Sequence, residues 1–111
     1  MLRLSEGPIL FVSFTDTLYL YRDGTQQGLD MTDASGATRK GFGTFAALSL
    51  DDGKTWPYRK LIPRAVETPW VSEKAGYLSC VQLPDGMIHL VSSSSYYRFN
   101  LAWLKTPMPA K

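Results

Sequence analysis

The chain has 111 residues, twelve basic against ten acidic side chains, a formal net charge of +2 and a single cysteine. A length of this order supports one modest core that buries roughly 60–65% of the unfolded surface. The basic residues are scattered with no run to track a phosphate backbone, which argues against nucleic acid as a partner. Cys80, alone in the chain, excludes an internal disulfide and a cysteine-based metal site within one copy, and reads as a small apolar residue in a strand.

In chain order, residues 1–4 read as the end of a strand, Ser5-Glu6-Gly7 as a hairpin signal, and Ile9–Phe14 (ILFVSF) as a strand. That apolar run is short, lacks a small-residue cleavage pattern and follows Glu6, so it is not read as a signal peptide; no segment approaches the roughly 20 apolar residues of a membrane span. The compartment is left open. Residues 21–42 are rich in Gly, Asp, Thr and Gln with almost nothing to bury, and are expected to be a long excursion on one rim. Strands are expected at 43–50 and 58–62, followed by a polar connection over 63–74 that is interrupted by Pro69. A second strand–turn–strand unit runs from 77 to 91 around Pro84-Asp85-Gly86, then a strand at 96–101 and an aromatic tail ending near Leu104. A short helical turn at 102–105, stopped by Pro107 and Pro109, is the best helix candidate.

The two units are copies. Leu4, Gly7, Ile9, Val12 and Ser13 align with Leu83, Gly86, Ile88, Val91 and Ser92 at a constant offset of 79 residues without a gap. This exceeds the roughly 40–50 residues usual for a propeller blade, and the excess falls in the 21–42 excursion. Strands such as ILFVSF and CVQL are apolar on both faces, which suits sheets stacked between sheets. The expectation is an all-β chain of about two four-stranded antiparallel blades of a propeller. Blade one covers about 1–62 with its long loop, the connection 63–75, and blade two about 76–104.

Between the third and fourth strands, Ser49, Asp51, Gly53, Thr55 and Trp56 match at every fixed position the pattern Ser-x-Asp-x-Gly-x-Thr-Trp, known as the Asp-box. Asp51 and Asp52 suit bonds to backbone amides of a tight turn, Gly53 supplies a backbone angle closed to other residues, and Trp56 covers the hairpin with apolar surface. The motif is structural and not catalytic. The chain resembles, over most of its length, the C-terminal portion of sialidase-like, neuraminidase-repeat proteins, whose whole members are six-bladed propellers. The resemblance rests on the Asp-box and on GPILFVSFTD, GFGTFAALSLDDGKTWPYRKLI and AGYLSCVQLPDGMIHLVSSSSYYRFNLAWL.

The resemblance implies a site in which three arginines clamp a substrate carboxylate, a tyrosine attacks with a glutamate beside it, and an aspartate serves as general acid. Gly76-Tyr77-Leu78-Ser79 matches the tyrosine's pattern and makes Tyr77 the catalytic candidate. The third arginine's position is occupied by Gly41, with Arg39 and Lys40 nearby, and the glutamate expected after the Pro-Asp-Gly turn is replaced by the serine run 92–95. Arg39 and Arg98 are the candidate substrate-binding residues, Arg98 among Tyr96, Tyr97 and Phe99. His89 reads as a packed, hydrogen-bonded strand residue. The remaining arginines and the acid belong to blades outside these two, and family parents are often exported. No organic cofactor or metal is indicated: the carboxylates are dispersed and no His-x-x-x-His or Gly-rich phosphate loop is present.

Two functions fit these features. One is a fragment or subunit of a carbohydrate-active propeller that binds or hydrolyses glycans, with sialosides the default ligand by resemblance. The other is a non-enzymatic module, a homo-oligomer in which three two-blade copies close a lectin-like ring. A truncated part of a longer parent chain is the prosaic alternative to both.

Overall fold

The computed structural model describes residues 1–16, 27–63 and 69–110. Among them the chain is all-β apart from one short helix, with every strand pair antiparallel and two isolated parallel bridges, Asp33 to Met108 and Phe42 to Val71: β1 (Leu2–Arg3), β2 (Ile9–Phe14), β3 (Leu29–Thr32), β4 (Thr38–Gly41), β5 (Thr44–Ser49), β6 (Tyr58–Leu61), β7 (Ser79–Gln82), β8 (Ile88–Val91), β9 (Tyr96–Phe99) and α1 (Leu101–Leu104). A four-stranded sheet has the order β1-β2-β5-β6, a three-stranded sheet the order β7-β8-β9, and β3 and β4 form a separate hairpin. No helix among the described residues is long and apolar enough to cross a membrane.

Strand periodicity explains how the two larger sheets meet. Alternate side chains point to opposite faces, so Leu10, Ala46, Leu48 and Ile62 leave the four-stranded sheet together and pack with Ile88, Leu90 and Phe99 of the three-stranded sheet. Leu4 and Leu104 complete this core. The opposite face of the four-stranded sheet is also apolar. There Leu61 joins Met31, Trp70 and Met108 in a second buried cluster, with Phe45 beside it.

Three expectations are corrected. The second sheet has three strands and not four, because Asn100 turns the chain out of the sheet and caps α1: its Oδ1 accepts from the Trp103 amide at 2.9 Å, the arrangement that makes Asn a favoured N-cap. Leu104 then drops into the core in place of a fourth strand. Residues 29–41 of the supposed bare excursion are a paired hairpin, anchored by buried Met31 and by an Asp33 turn in which Oδ1 accepts from the Ser35 and Ala37 amides; the rest of that excursion, 17–26, lies outside the described residues. The supposed polar connection buries Trp70, Ser72 and Glu73, and its residues 64–68 lie outside the described residues.

The hydrogen bonds distinguish two ends of the stack. At one, Arg3 reaches from the Gly7 turn to Asp52, and Gln82 bonds Glu6 and Gly86 O. At the other, Thr15 pairs with Gly43 in both directions, and Thr44 Oγ1 donates to Glu73 O at 3.0 Å.

Candidate functional site

The Asp-box turn lies between β5 and β6, at the Gly7 end. Asp51 Oδ1 accepts from Ser49 Oγ and the Thr55 amide, both at 2.8 Å, and Oδ2 accepts from Thr55 Oγ1 at 2.6 Å. The Ser49 hydroxyl accepts in turn from the Gly53 amide at 2.8 Å. Gly53 has φ +89° and Asp52, just before it, +60°, so the chain passes twice through the left-handed region, where glycine carries no side-chain penalty. The Thr55 hydroxyl, then the Thr55 amide and Ser49, hold the Asp51 carboxyl down at about 2. Every fixed polar position of the motif is thus used within its own turn. Asp52 differs from expectation: it pairs with Arg3 at 2.9 Å across the sheet. Trp56 is half-buried, its ring 6.0 Å from that of Phe11.

The candidate residues Tyr77, Arg39 and Arg98 stand on different parts of the molecule. Tyr77 is 88% exposed, at the end opposite the Asp-box, with its amide donating to Ser93 Oγ at 2.8 Å. Arg39 lies in β4 with its guanidinium 4.7 Å from the centre of the Trp70 ring, a cation–π contact that directs it toward the second hydrophobic cluster. Arg98 lies in β9, paired across from His89 on the three-stranded sheet. No hydrogen bond, ion pair or ring contact joins these three side chains among the described residues. At Gly41, where the resemblance led us to expect an arginine, a Cβ would come within 2.8 Å of the Leu61 side chain and 3.1 Å of Met31 Sδ, so a side chain there requires these neighbours to shift.

The sequence reading missed Glu73. Its side chain is buried, 6% exposed, and receives hydrogen bonds from Ser92 Oγ at 2.7 Å, Ser94 Oγ at 2.8 Å and the Tyr97 hydroxyl. Its carbonyl accepts from Thr44 in the four-stranded sheet, so one residue ties both sheets at the Tyr77 end. The serine run that seemed to replace a glutamate in fact surrounds one supplied by the segment before β7. The signal for it was there: an acidic residue in a segment ending at Gly76-Tyr77, together with a run of four consecutive serines at 92–95. Its phenol partner is Tyr97 and not Tyr77.

Burial shifts the pKa of both Lys60 and Cys80. Lys60 is buried, with Nζ 3.9 Å from the Trp103 ring centre, donating to Trp103 O at 3.1 Å and to Thr106 Oγ1; burial pulls its pKa down to about 8. Cys80 is a half-buried free thiol in β7 whose pKa burial raises. No group of three or more His, Cys, Asp or Glu side chains able to hold a metal ion occurs among the described residues. In comparisons with family models, curated proteins and solved structures, the chain finds no match.

Proposed function

We propose that the chain is a two-blade section of a neuraminidase-repeat β-propeller, and that it binds glycans through the rim opposite its Asp-box. The observation that carries this reading is the division of labour between the ends: the Asp-box is spent on its own turn, while Tyr77 stands in solvent at the other end, its backbone pinned by Ser93. An exposed phenol on a fixed backbone offers a sugar both a ring to stack on and a hydroxyl to bond. Closing a ring takes further blades, from a longer parent or from other copies.

Binding fits better than hydrolysis. A tyrosine nucleophile needs a base beside it and cations to hold an acidic substrate, whereas the Glu73 carboxylate accepts from Ser92, Ser94 and Tyr97, and Arg39 and Arg98 serve other surfaces. A glycan array that includes sialosides tests the reading. Binding that falls at least about tenfold in Tyr77→Ala, with no release of fluorophore from a fluorogenic sialoside, is the expected result. Turnover that vanishes in Tyr77→Phe would replace binding with catalysis; absence of binding to every glycan would end the proposal.

A further inference from the structure

β6 is an edge of the four-stranded sheet: β5 pairs with it on one side and no strand on the other. The Ile62 amide donates to Thr44 O at 3.0 Å, so by antiparallel alternation Tyr58 and Lys60 turn their backbone groups to β5, while Arg59 and Leu61 turn theirs outward. Proteins commonly cover or blunt such a row. Here part of it is covered. On one face of the sheet Lys60 Nζ holds Trp103 O at 3.1 Å and Thr106 Oγ1, and on the other Leu61 shares a cluster with Met31 and Met108. The chain after α1 thus runs from one face of β6 to the other beside the open edge. It is tied down beyond Leu61 by the Ala34 amide, which donates to Met108 O at 2.8 Å.

Ahead of that crossing lies a cavity of about 370 Å³, lined by residues 30–32 of β3, by 56–59 and by 104–107 of the crossing segment. Its size falls in the range of ligand sites. Tyr58 and Arg59 alternate between the two faces of β6 and both line it, so the cavity follows the edge and not a face. In a ring with β1 innermost, β6 lies on the circumference. Blades stack through their faces, so further blades on either side leave this edge open. Its charges are unbalanced: Asp30 pairs with Lys40 at 3.0 Å, whereas Arg59 and Lys105, both exposed, have no ion-pair partner among the described residues. Trp56 and Tyr58, half-buried, add apolar surface. Pro57 has no N–H and offers only its carbonyl, which keeps any pairing short.

We propose that this edge groove, separate from the Tyr77 rim, binds a short extended peptide that carries acidic side chains and adds to β6 as a strand. The peptide backbone exchanges hydrogen bonds with the Arg59 N–H and C=O. A carboxylate side chain meets Arg59 and Lys105 in charge-assisted bonds, and an apolar side chain lies against Trp56 and Tyr58. A sugar meets cations and rings as well, but an N–H and a C=O presented side by side at strand spacing match a polypeptide.

Amide-shift titration of the intact 111-residue chain with capped hexapeptides tests the groove. One alternates glutamate and valine, one alternates lysine and valine, and two are forms of the first N-methylated on one or the other alternate set of amides. The glutamate–valine peptide should give saturable shifts centred on residues 30–32, 58–59 and 104–106 that weaken with added salt, and the lysine–valine peptide should bind at least about tenfold more weakly. One N-methylated form should bind and the other should not, because only alternate amides of an added strand face β6. Arg59→Gln and Lys105→Gln should each weaken binding about three- to fivefold, while Arg98→Gln, which removes the same charge from the other sheet, should leave it unchanged. All three side chains are exposed, so none of the substitutions threatens the core. Equal binding of the lysine–valine peptide, equal effects of the two methylation patterns, equal effects of the three variants or no saturable shifts at millimolar glutamate–valine peptide would overturn the site.

Discussion

Replacing Glu73 by alanine should be among the most damaging single changes at the Tyr77 end. The carboxylate accepts from Ser92, Ser94 and Tyr97. Ser94 is exposed and water replaces its bond, but Ser92 is buried and Tyr97 half-buried. Each of these two hydroxyls loses a bond to a charged acceptor, worth about 1.5–3 kcal/mol, although Ser92 keeps the Ser95 carbonyl at 3.3 Å. Relief from burying a carboxylate offsets part of the loss. A net destabilisation of about 3 kcal/mol results, and with a urea m-value of about 1.5 kcal/mol/M for a chain of this length the midpoint should fall by about 2 M. Glu73→Gln keeps a carbonyl acceptor and should lose only about 1–2 kcal/mol. Urea unfolding followed by tryptophan fluorescence measures both. A Glu73→Ala midpoint within about 0.3 M of the parent chain would mean that the carboxylate is hydrated and does not join the sheets.

Lys60 should oppose folding near neutrality. Its proton is bound less tightly in the folded state, at about 8, than in the unfolded chain, so stability should rise as pH climbs from about 8 toward about 10.4. Lys60→Met should remove that rise and stabilise the chain by about 1–2 kcal/mol at pH 7; a lowered urea midpoint would count against it. Asp51 works in the other direction: its folded value is depressed to about 2, so its contribution is complete above the unfolded value of about 3.9 and is lost as pH falls through about 2. In Asp51→Asn the acid limb of the stability profile should flatten over that window, and an unchanged profile would separate the carboxylate from the turn. Gly43 has φ +115° and a Cβ there would lie 2.6 Å from the Ser72 carbonyl carbon and oxygen. Gly43→Ala should therefore cost about 3 kcal/mol or more in thermal or urea unfolding, with a mild loss disproving the close approach.

What was legible in the sequence was local. The repeat around Gly7 and Gly86 predicted two matching hairpins, and the spacing from Ser49 to Trp56 predicted the closed turn because each of its polar bonds spans at most four residues. The hairpin of β3 and β4 was hidden because its polar composition shows no core; what holds it is Met31 packing with Leu61, Trp70 and Met108 from distant segments. The helical turn expected at 102–105 is present at Leu101–Leu104; that the strand before it stops at Phe99 turned on Asn100, a cap inside a segment that read equally well as strand. Glu73 escaped because its partners lie 19 to 24 residues away, and because a glutamate was sought within the strand after the turn. His89 was read as hydrogen-bonded, which it is; that its partner would be an exposed tyrosine on the outer face depended on the register of β8 and β9.

The most direct test of glycan recognition at the Tyr77 rim is amide-shift mapping with a sialyl-oligosaccharide and its desialylated counterpart. The proposed function predicts saturable shifts for at least one of them, centred on residues 76–79 and Ser93, with the Asp-box amides of 49–56 unmoved. Shifts centred on the Asp-box, or no shifts at millimolar sugar, would contradict it.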